Sequence, residues 1–153
     1  VSNQDIEYIT QLPSNPLIYN CDSRQISQVF TNLLLNSSQA IGGRLIKNIN
    51  SSKGKIFINL TQSKHRMQVE IIDNGVGLPK DIQNRLVEPY VTTKEKGTGL
   101  GLAIVAKVVD DHNGDLHISN NTLGGATIKL NFPLNVDGRE KRSNHSPKDK
   151  DSM

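Results

Sequence analysis

The sequence predicts an α/β domain, because strand-type and helix-type hydrophobic patterns alternate along one chain. Apolar residues recur with a period of two at 56–60 and 67–71, which is typical of half-buried strands. A stripe with helical spacing precedes them, and a second helical pattern follows a glycine-rich stretch at 97–102. The first stripe consists of Ile26, Val29, Phe30, Leu33 and Leu34.

Length and composition favour one domain and exclude several functional classes. The 153 residues carry a net charge of +3 on scattered basic side chains with few aromatics, which argues against a nucleic-acid partner. The hydropathy pattern predicts neither a signal peptide nor a membrane span, so we expect no direct membrane contact. Cys21, the single cysteine, excludes an internal disulfide and fits a reducing compartment. We interpret it as a small buried side chain at a strand end.

The two ends of the chain differ in composition. Residues 1–135 contain the periodic patterns and form the predicted domain. Residues 136–153 are almost entirely charged or polar, so they cannot bury enough surface to fold and are predicted to be a disordered tail.

Two short segments rich in Ile, Tyr and Leu open the domain, at 6–12 and 17–21. Proline and polar residues at 13–16 separate them, so we predict two strands joined by a turn. Asp22 or Ser23 is then expected to cap the first helix.

Two asparagines, Asn32 and Asn36, lie one turn apart at the border of the apolar stripe of this helix. Asparagine is a poor residue for a helix interior, so the pair suggests a polar function, although simple surface placement also accounts for it. The helix is expected to fade near residues 42–43 or to continue irregularly to Lys47. A polar connector follows at 48–55.

A predicted hairpin at 56–61 and 67–72 ends at Asp73, which two glycines, Gly75 and Gly77, follow closely. A carboxylate at a strand end can lie at the floor of a pocket and accept a hydrogen bond from an exocyclic amine such as that of adenine. The alternative is a simple Asp-Asn-Gly turn.

The second half is predicted to contain a short helix at 79–87 and an exposed loop at 88–96 that acts as a lid. The helix after the glycines is expected to begin near Gly99 and to end at 112–114. Strands at 115–119 and 125–133 close the domain.

Gly97, Gly99 and Gly101 alternate immediately before a helix. Glycine permits close approach of a ligand to the backbone, and the first N–H groups of a helix have no partner within it. The stretch is therefore a candidate anion site, although a flexible connector has a similar composition. It matches neither a P-loop nor a dinucleotide fingerprint, and no His-Arg-Asp or Asp-Phe-Gly motif of protein kinases occurs.

Four motifs, in this order, resemble the nucleotide-binding boxes of the ATP-binding catalytic domain of bacterial sensor histidine kinases. They are the Asn32/Asn36 helix, the turn at 73–77, the segment at 88–90 and the glycine loop at 97–102. The fold is shared with gyrase, Hsp90 and MutL. Within the family, the lid sequence is most similar to that of NtrY-type nitrogen-regulation sensor kinases. The resemblance implies a two-layer α/β sandwich, with a mixed sheet of about five strands covered on one face by three helices.

The resemblance also implies specific roles. Asp73 would bind the adenine amino group above a floor shaped by Gly75 and Gly77, while Thr127 would frame the adenine end. Asn36 would coordinate Mg²⁺, and Asn32 would support the phosphate side. The other implied ATP-binding residues are Leu78, Tyr90, Thr92, Thr93, Lys94, Gly97, Thr98, Gly99, Leu100, Gly101 and Leu102, with Lys94 supplying charge.

The implied activity is transfer of a phosphoryl group from Mg-ATP to a histidine on a separate dimerisation domain, which then serves a response regulator. None of the four histidines is followed by the Glu or Asp that the family places after its acceptor. We therefore expect a cytoplasmic catalytic domain that is monomeric in isolation. The alternatives are a gyrase- or Hsp90-like ATPase and a serine kinase of the anti-sigma-factor type. The ATPase alternative is disfavoured because Asn32 stands where those enzymes have a water-activating glutamate.

Overall fold

The computed structural model describes residues 6–46, 53–79, 88 and 99–134. Five strands form one mixed sheet in the order β1-β2-β3-β5-β4. The first pair, β1 and β2, is parallel, and the other three pairs are antiparallel. The strands are β1 (Ile6–Gln11), β2 (Gly54–Gln62), β3 (Arg66–Asp73), β4 (Asp115–Asn120) and β5 (Ala126–Pro133).

Two helices in the described residues, α1 (Ser23–Ile46) and α2 (Gly101–Asp111), pack on one face of this sheet. The buried side chains alternate along β3 and β5, as expected of strands with one face against a helical layer. The core that joins the layers includes Val29, Leu33, Ile41, Val105, Val109, Ile56, Ile71 and Leu130. The predicted α/β sandwich with five strands is therefore confirmed. Of the helix predicted at 79–87, residues 80–87 lie outside the described residues.

The prediction of a strand at 17–21 is wrong, because this segment pairs with none of the five strands. Its side chains do alternate between partly buried and exposed, which explains why the pattern resembled a strand. Leu17 and Tyr19 pack against the core, and the Tyr19 ring lies 5.5 Å from that of Phe132. Side-chain packing against the core, not strand pairing, therefore holds this segment in place. The strand that pairs with β2 on this side of the sheet is β1.

Local chemistry explains where the first helix begins, but not where it ends. Asp22 is its cap, because its Oδ1 accepts hydrogen bonds from the backbone N–H groups of Arg24 and Gln25 at 2.9 and 3.1 Å. The helix continues through both glycines at 42–43 to Ile46, so it does not fade there. Tertiary packing of this last part offsets the poor helix propensity of glycine.

The second helix ends as predicted, at a left-handed residue. Asn113 has φ of 55°, and Gly114 N–H donates to Val109 O at 2.8 Å. Its start is at Gly101, two residues later than predicted. This shift places Gly99, with φ of 69°, in the turn that leads into the helix.

Candidate functional site

A buried carboxylate lies where β3 ends beside α1. Asp73 is 3% exposed, and its Oδ1 accepts hydrogen bonds from Gly75 N–H at 2.8 Å and from Ala126 N–H at 3.3 Å. Within the described part of the chain, Oδ2 accepts no hydrogen bond, so its acceptor capacity is left for a ligand. The carboxylate is thus oriented by the backbone through one oxygen and can recognise a donor through the other.

Burial raises the pKa of Asp73 above its usual value, because desolvation disfavours the charged form. Hydrogen bonds from Gly75 and Ala126, together with the nearby Ser37 hydroxyl, oppose this effect without cancelling it. A buried acceptor with a perturbed pKa at a strand end is typical of a functional carboxylate.

The Ser37 hydroxyl is a buried polar group beside this carboxylate. Ser37 is 1% exposed, and its Oγ has no partner within hydrogen-bonding geometry in the described residues. The hydroxyl nevertheless opposes the rise in the pKa of Asp73, so it stabilises the charged carboxylate.

We therefore expect Ser37→Ala to lower the free energy of unfolding at neutral pH by about 1 kcal/mol. Urea unfolding of the ligand-free domain measures this change. The matched control is Ser27→Ala on the same helix, where the exposed hydroxyl donates to Ser23 O at 2.7 Å; its expected effect is within about 0.5 kcal/mol. A stabilised Ser37→Ala would instead show that the buried hydroxyl is a net cost to the ligand-free domain.

The loop after Asp73 lies directly against α1, and its glycines make this contact possible. A methyl group on Gly75 would lie 2.6 Å from Ala40 Cβ, and Val76 N–H donates to Ala40 O at 3.2 Å. Gly77 has φ of 70°, a conformation that side chains rarely adopt. The predicted positions of Gly75 and Gly77 therefore form one wall of a cleft next to the carboxylate.

The other end of the site is the start of α2. The residue before the helix, Leu100, makes no side-chain cap hydrogen bond. A methyl group on Gly101 would lie 3.7 Å from Asn32 Oδ1 and 4.0 Å from Asn36 Nδ2. Both predicted asparagines thus face the first turn of α2, with no bulkier side chain at position 101 to separate them from it.

The donors at this end fit an anionic ligand. Asn32 Nδ2 is buried and has no hydrogen-bond partner in the described residues. The first N–H groups of α2 lack partners within the helix, and its dipole favours negative charge nearby. A helix N-terminus that faces two carboxamide side chains suits phosphate oxygens, while an amide oxygen is a suitable hard ligand for Mg²⁺.

The two ends are held apart by α1 itself. From Asn32 to Ala40 the helix rises eight residues, roughly 12 Å at 1.5 Å per residue. One end carries Asp73, Gly75 and Gly77, and the other carries the asparagines and Gly101. This spacing suits a ligand with a base at one end and phosphates at the other.

Other predicted site residues have different surroundings. Leu78 is fixed through its backbone, with its N–H and C=O bonded to the Asn120 side chain. Leu102 packs against the core. The predicted residues Tyr90, Thr92, Thr93, Lys94, Gly97 and Thr98 lie outside the described part of the chain.

The structure does not support the predicted role of Thr127. Thr127 is paired with Ile72, so its side chain lies on the sheet face opposite that of Asp73. The residue beside the carboxylate is Ala126, which contributes its N–H. The error is a shift of one residue, which in a strand exchanges the two faces.

Sequence reasoning also missed Asn120 and Asn121, which contact the carboxylate loop from the turn between β4 and β5. An Asn-Asn pair before two glycines indicates a turn, but nothing in the local sequence reveals what the turn touches.

These features define an ATP-binding domain of a known superfamily. Residues 21–136 match the family described as histidine kinase-, DNA gyrase B-, and HSP90-like ATPase, and the chain belongs to this family. The catalytic domain of histidine kinase ThkA in a nucleotide-free form has the same fold, with a TM-score of 0.72 and 27% identity. That match covers 85% of this chain and 81% of the ThkA domain.

Within the family, the chain is similar to NtrY-type sensor histidine kinases. It is 44% identical over 110 residues to the nitrogen regulation protein NtrY of Azorhizobium caulinodans, covering 71% of this chain and 14% of that protein. It is 36% identical over 132 residues to a putative NtrY-like sensor histidine kinase of Rickettsia bellii, covering 86% of this chain and 20% of that protein. The chain therefore spans a fifth or less of these relatives. None of the helices in the described residues has the length and apolar character needed to span a membrane.

Proposed function

We propose that this domain binds Mg-ATP along α1 and transfers the γ-phosphoryl group to a histidine on a separate dimerisation domain of the same kinase. The observation that carries the proposal is the pairing of a buried, oriented carboxylate at one end of α1 with the N-terminus of α2, which faces Asn32 and Asn36, at the other. The family and the similarity to sensor kinases support it.

At the base end, Asp73 Oδ2 accepts a hydrogen bond from the exocyclic amine of adenine. Gly75 and Gly77 allow the base to lie close to the backbone, since neither carries a side chain. Guanine presents a carbonyl oxygen in place of that amine, so two acceptors would face each other and GTP is disfavoured.

At the phosphate end, the amide oxygen of Asn36 would hold Mg²⁺, and the metal would supply positive charge to the phosphates. Asn32, whose carboxamide also faces the start of α2, supports the phosphate side. Gly97, Gly99 and Gly101 contribute backbone N–H groups, and Lys94 contributes a positive charge. Positioning and electrostatic stabilisation supply most of the catalysis in phosphoryl transfer.

Transfer is favoured over hydrolysis because Asn32 cannot act as a base for water. The Asn32 amide cannot accept a proton at neutral pH, in contrast to a glutamate at that position. A stronger nucleophile, such as an imidazole supplied by another domain, needs no such help.

The histidines in the described residues do not look like acceptors. The ring of His112 is engaged on both sides, since Nε2 accepts from Asp22 N–H at 3.1 Å and Nδ1 lies 2.7 Å from Val108 O. With Nδ1–H donating, the neutral ring has no free nitrogen for attack. His65 and His117 are exposed on the hairpin turn and on β4, and within the described residues neither ring is hydrogen-bonded to an acidic side chain that would orient it.

The whole protein is proposed to act in the cytoplasm on a response regulator through its own dimerisation and histidine phosphotransfer domain. Residues 1–135 form the catalytic unit, and the polar residues 136–153 form a tail outside it. The isolated catalytic unit is expected to be monomeric, because the dimerisation helices of the family precede it.

The test combines labelled ATP with this chain alone and with a matching helical acceptor domain. We expect slow hydrolysis and no self-labelling alone, and labelling of the acceptor histidine when it is added. Labelling of a serine in the added domain would favour an anti-sigma-type serine kinase, and rapid hydrolysis by the chain alone would favour an ATPase.

Gly101→Ala is expected to separate nucleotide binding from stability. The added methyl fits the ligand-free domain, with its nearest neighbour at 3.7 Å, yet it fills the gap between α2 and the asparagines. We expect a loss of affinity for Mg-ADP of at least about tenfold, with unfolding free energy unchanged or raised by less than about 1 kcal/mol. Calorimetry and urea unfolding measure the two quantities.

The matched control for this change is Gly43→Ala, a helical glycine where the added methyl would lie 3.7 Å from Val76 Cγ1, away from the phosphate end. It should leave the affinity for Mg-ADP within about twofold. Undiminished Mg-ADP binding by Gly101→Ala would place the phosphates elsewhere.

A further inference from the structure

The connection between β4 and β5 holds the loop of residues 73–78, which lies on the proposed adenine side. It does so by hydrogen bonds between elements that are far apart in sequence. The Asn120 Oδ1 accepts from Leu78 N–H at 2.7 Å, and its Nδ2 donates to Leu78 O at 3.0 Å. Both main-chain groups of Leu78 are therefore bound by one carboxamide, as a neighbouring strand would bind them.

The next residue binds the other end of the same loop. Asn121 Nδ2 donates to Asp73 O and to Ala126 O, both at 2.9 Å. Its Oδ1 accepts from the N–H groups of Leu123 and Gly125 at 2.9 and 3.2 Å. One of these four hydrogen bonds joins the turn to Asp73, and the other three fix the turn itself, so the Asn121 side chain is held rigidly where it contacts the residue that bears the buried carboxylate.

The two segments touch backbone to backbone. A methyl group on Gly125 would lie 2.2 Å from Asp73 O and 2.5 Å from Asp73 Oδ1. A methyl group on Gly77 would lie 2.9 Å from Asn120 Oδ1 and 2.9 Å from Gly124 O. No side chain at either glycine separates the turn from the loop. A displacement of the turn would therefore also displace the backbone around the Asp73 carboxylate.

We propose that Asn120 and Asn121 are positioning residues for base recognition, which clamp the loop at both ends so that Asp73 faces the adenine amine in one orientation. This inference rests on the proposed role of Asp73. This clamp, formed by Asn120 and Asn121, determines how well the site distinguishes an amine from a carbonyl on the base. That discrimination requires an acceptor and a pocket floor that are both held in fixed positions.

The clamp lies outside the core, which makes its function separable from folding. Asn120 and residues 122–124 are exposed, and neither asparagine belongs to the buried hydrophobic cluster. Hydrogen bonds at an exposed position compete with water, so their loss releases the loop while β3 and β5 stay paired.

The principal variant is Asn120→Ala, and its readout is the ratio of the affinities for ADP and inosine diphosphate, which carries a carbonyl in place of the adenine amine. We expect ADP affinity to fall roughly tenfold, as for the loss of two exposed hydrogen bonds, and affinity for inosine diphosphate to fall less. The selectivity ratio therefore decreases. Amide hydrogen exchange at 74–79 should also become faster.

The matched control is Asn131→Ala, which removes a side-chain hydrogen bond with Gln68 at 2.8 Å on the opposite face of the sheet. It should change neither selectivity nor exchange at 74–79. Asn121→Ala releases the backbone of Asp73 itself and should reduce selectivity further. Should Asn121→Ala fail to fold, the exposed Asn120→Ala still decides the matter.

Two outcomes distinguish the clamp from the function it rests on. If the unmodified domain binds ADP and inosine diphosphate equally, the base-recognition role of Asp73 is overturned and the clamp with it. If the unmodified domain is selective and Asn120→Ala keeps the same selectivity, the clamp alone is overturned. An equal loss of affinity for both nucleotides in Asn120→Ala would also overturn it, since that result indicates a purely structural role.

Discussion

Asn36→Ala is expected to reduce phosphoryl transfer to an added acceptor domain by at least about 100-fold, the scale seen when one group that stabilises transition-state charge is removed. The amide of Asn36 lies next to the start of α2, where the phosphates are proposed to bind. Asn36 is the residue proposed to hold Mg²⁺, so loss of its amide oxygen would remove a protein ligand for the metal and leave the transferred group poorly oriented. Initial rates of labelling at saturating Mg-ATP measure the effect.

The control for this substitution is Gln28→Ala, which removes an exposed carboxamide from the same helix two turns earlier. It should transfer phosphate at the unmodified rate. Urea unfolding of both variants checks that α1 remains folded. Normal transfer by Asn36→Ala would mean that another residue coordinates the metal, and the assignment of the phosphate end would then be incorrect.

Asp73→Asn is expected to lower affinity for adenine nucleotides by about 100-fold or more, while the domain remains folded. The amide oxygen can still accept from Gly75 and Ala126, but the second position now presents a donor to the adenine amine, which is also a donor. Calorimetry with ADP and GDP measures both affinity and selectivity. Unchanged ADP binding would remove Asp73 from the site.

The same variant gives a pH-dependent change in stability whose sign follows from the raised pKa of Asp73. The folded state holds its proton more tightly than the unfolded state, whose carboxyl has the ordinary value of 3.8. Between that value and the raised pKa, the folded state binds more protons, so stability decreases as pH rises. Asp73→Asn does not titrate, so we expect it to be more stable than the unmodified domain at neutral pH.

This stability difference should shrink as pH falls below the raised pKa of Asp73, because the unmodified carboxyl then becomes neutral as well. Urea unfolding of both proteins over a pH series measures it. A stability difference that stays constant with pH would show that Asp73 does not titrate with a raised pKa in the folded state.

Local patterns predicted most of the fold because they report on one element at a time. The alternation at 56–60 and 67–71 identified both strands of the hairpin, and the stripe around Leu33 identified α1. The segment at 17–21 shows where this reasoning fails. Alternating burial arises from packing against the core as well as from strand pairing, and only a partner strand distinguishes the two.

The sequence by itself determined the residue types of the proposed site and their order along the chain. The helical pattern places Asn32 and Asn36 one turn apart on the same side of α1, and the strand pattern places Asp73 at the end of β3. Tertiary structure alone decided what lies opposite them. Asn120 meets Leu78 across 42 residues of sequence, and it was Ala126, not Thr127, that came to lie beside the carboxylate. The physical reason is strand register: side chains alternate between faces with a period of two, and the pairing of β3 with β5 that selects the face is a long-range contact.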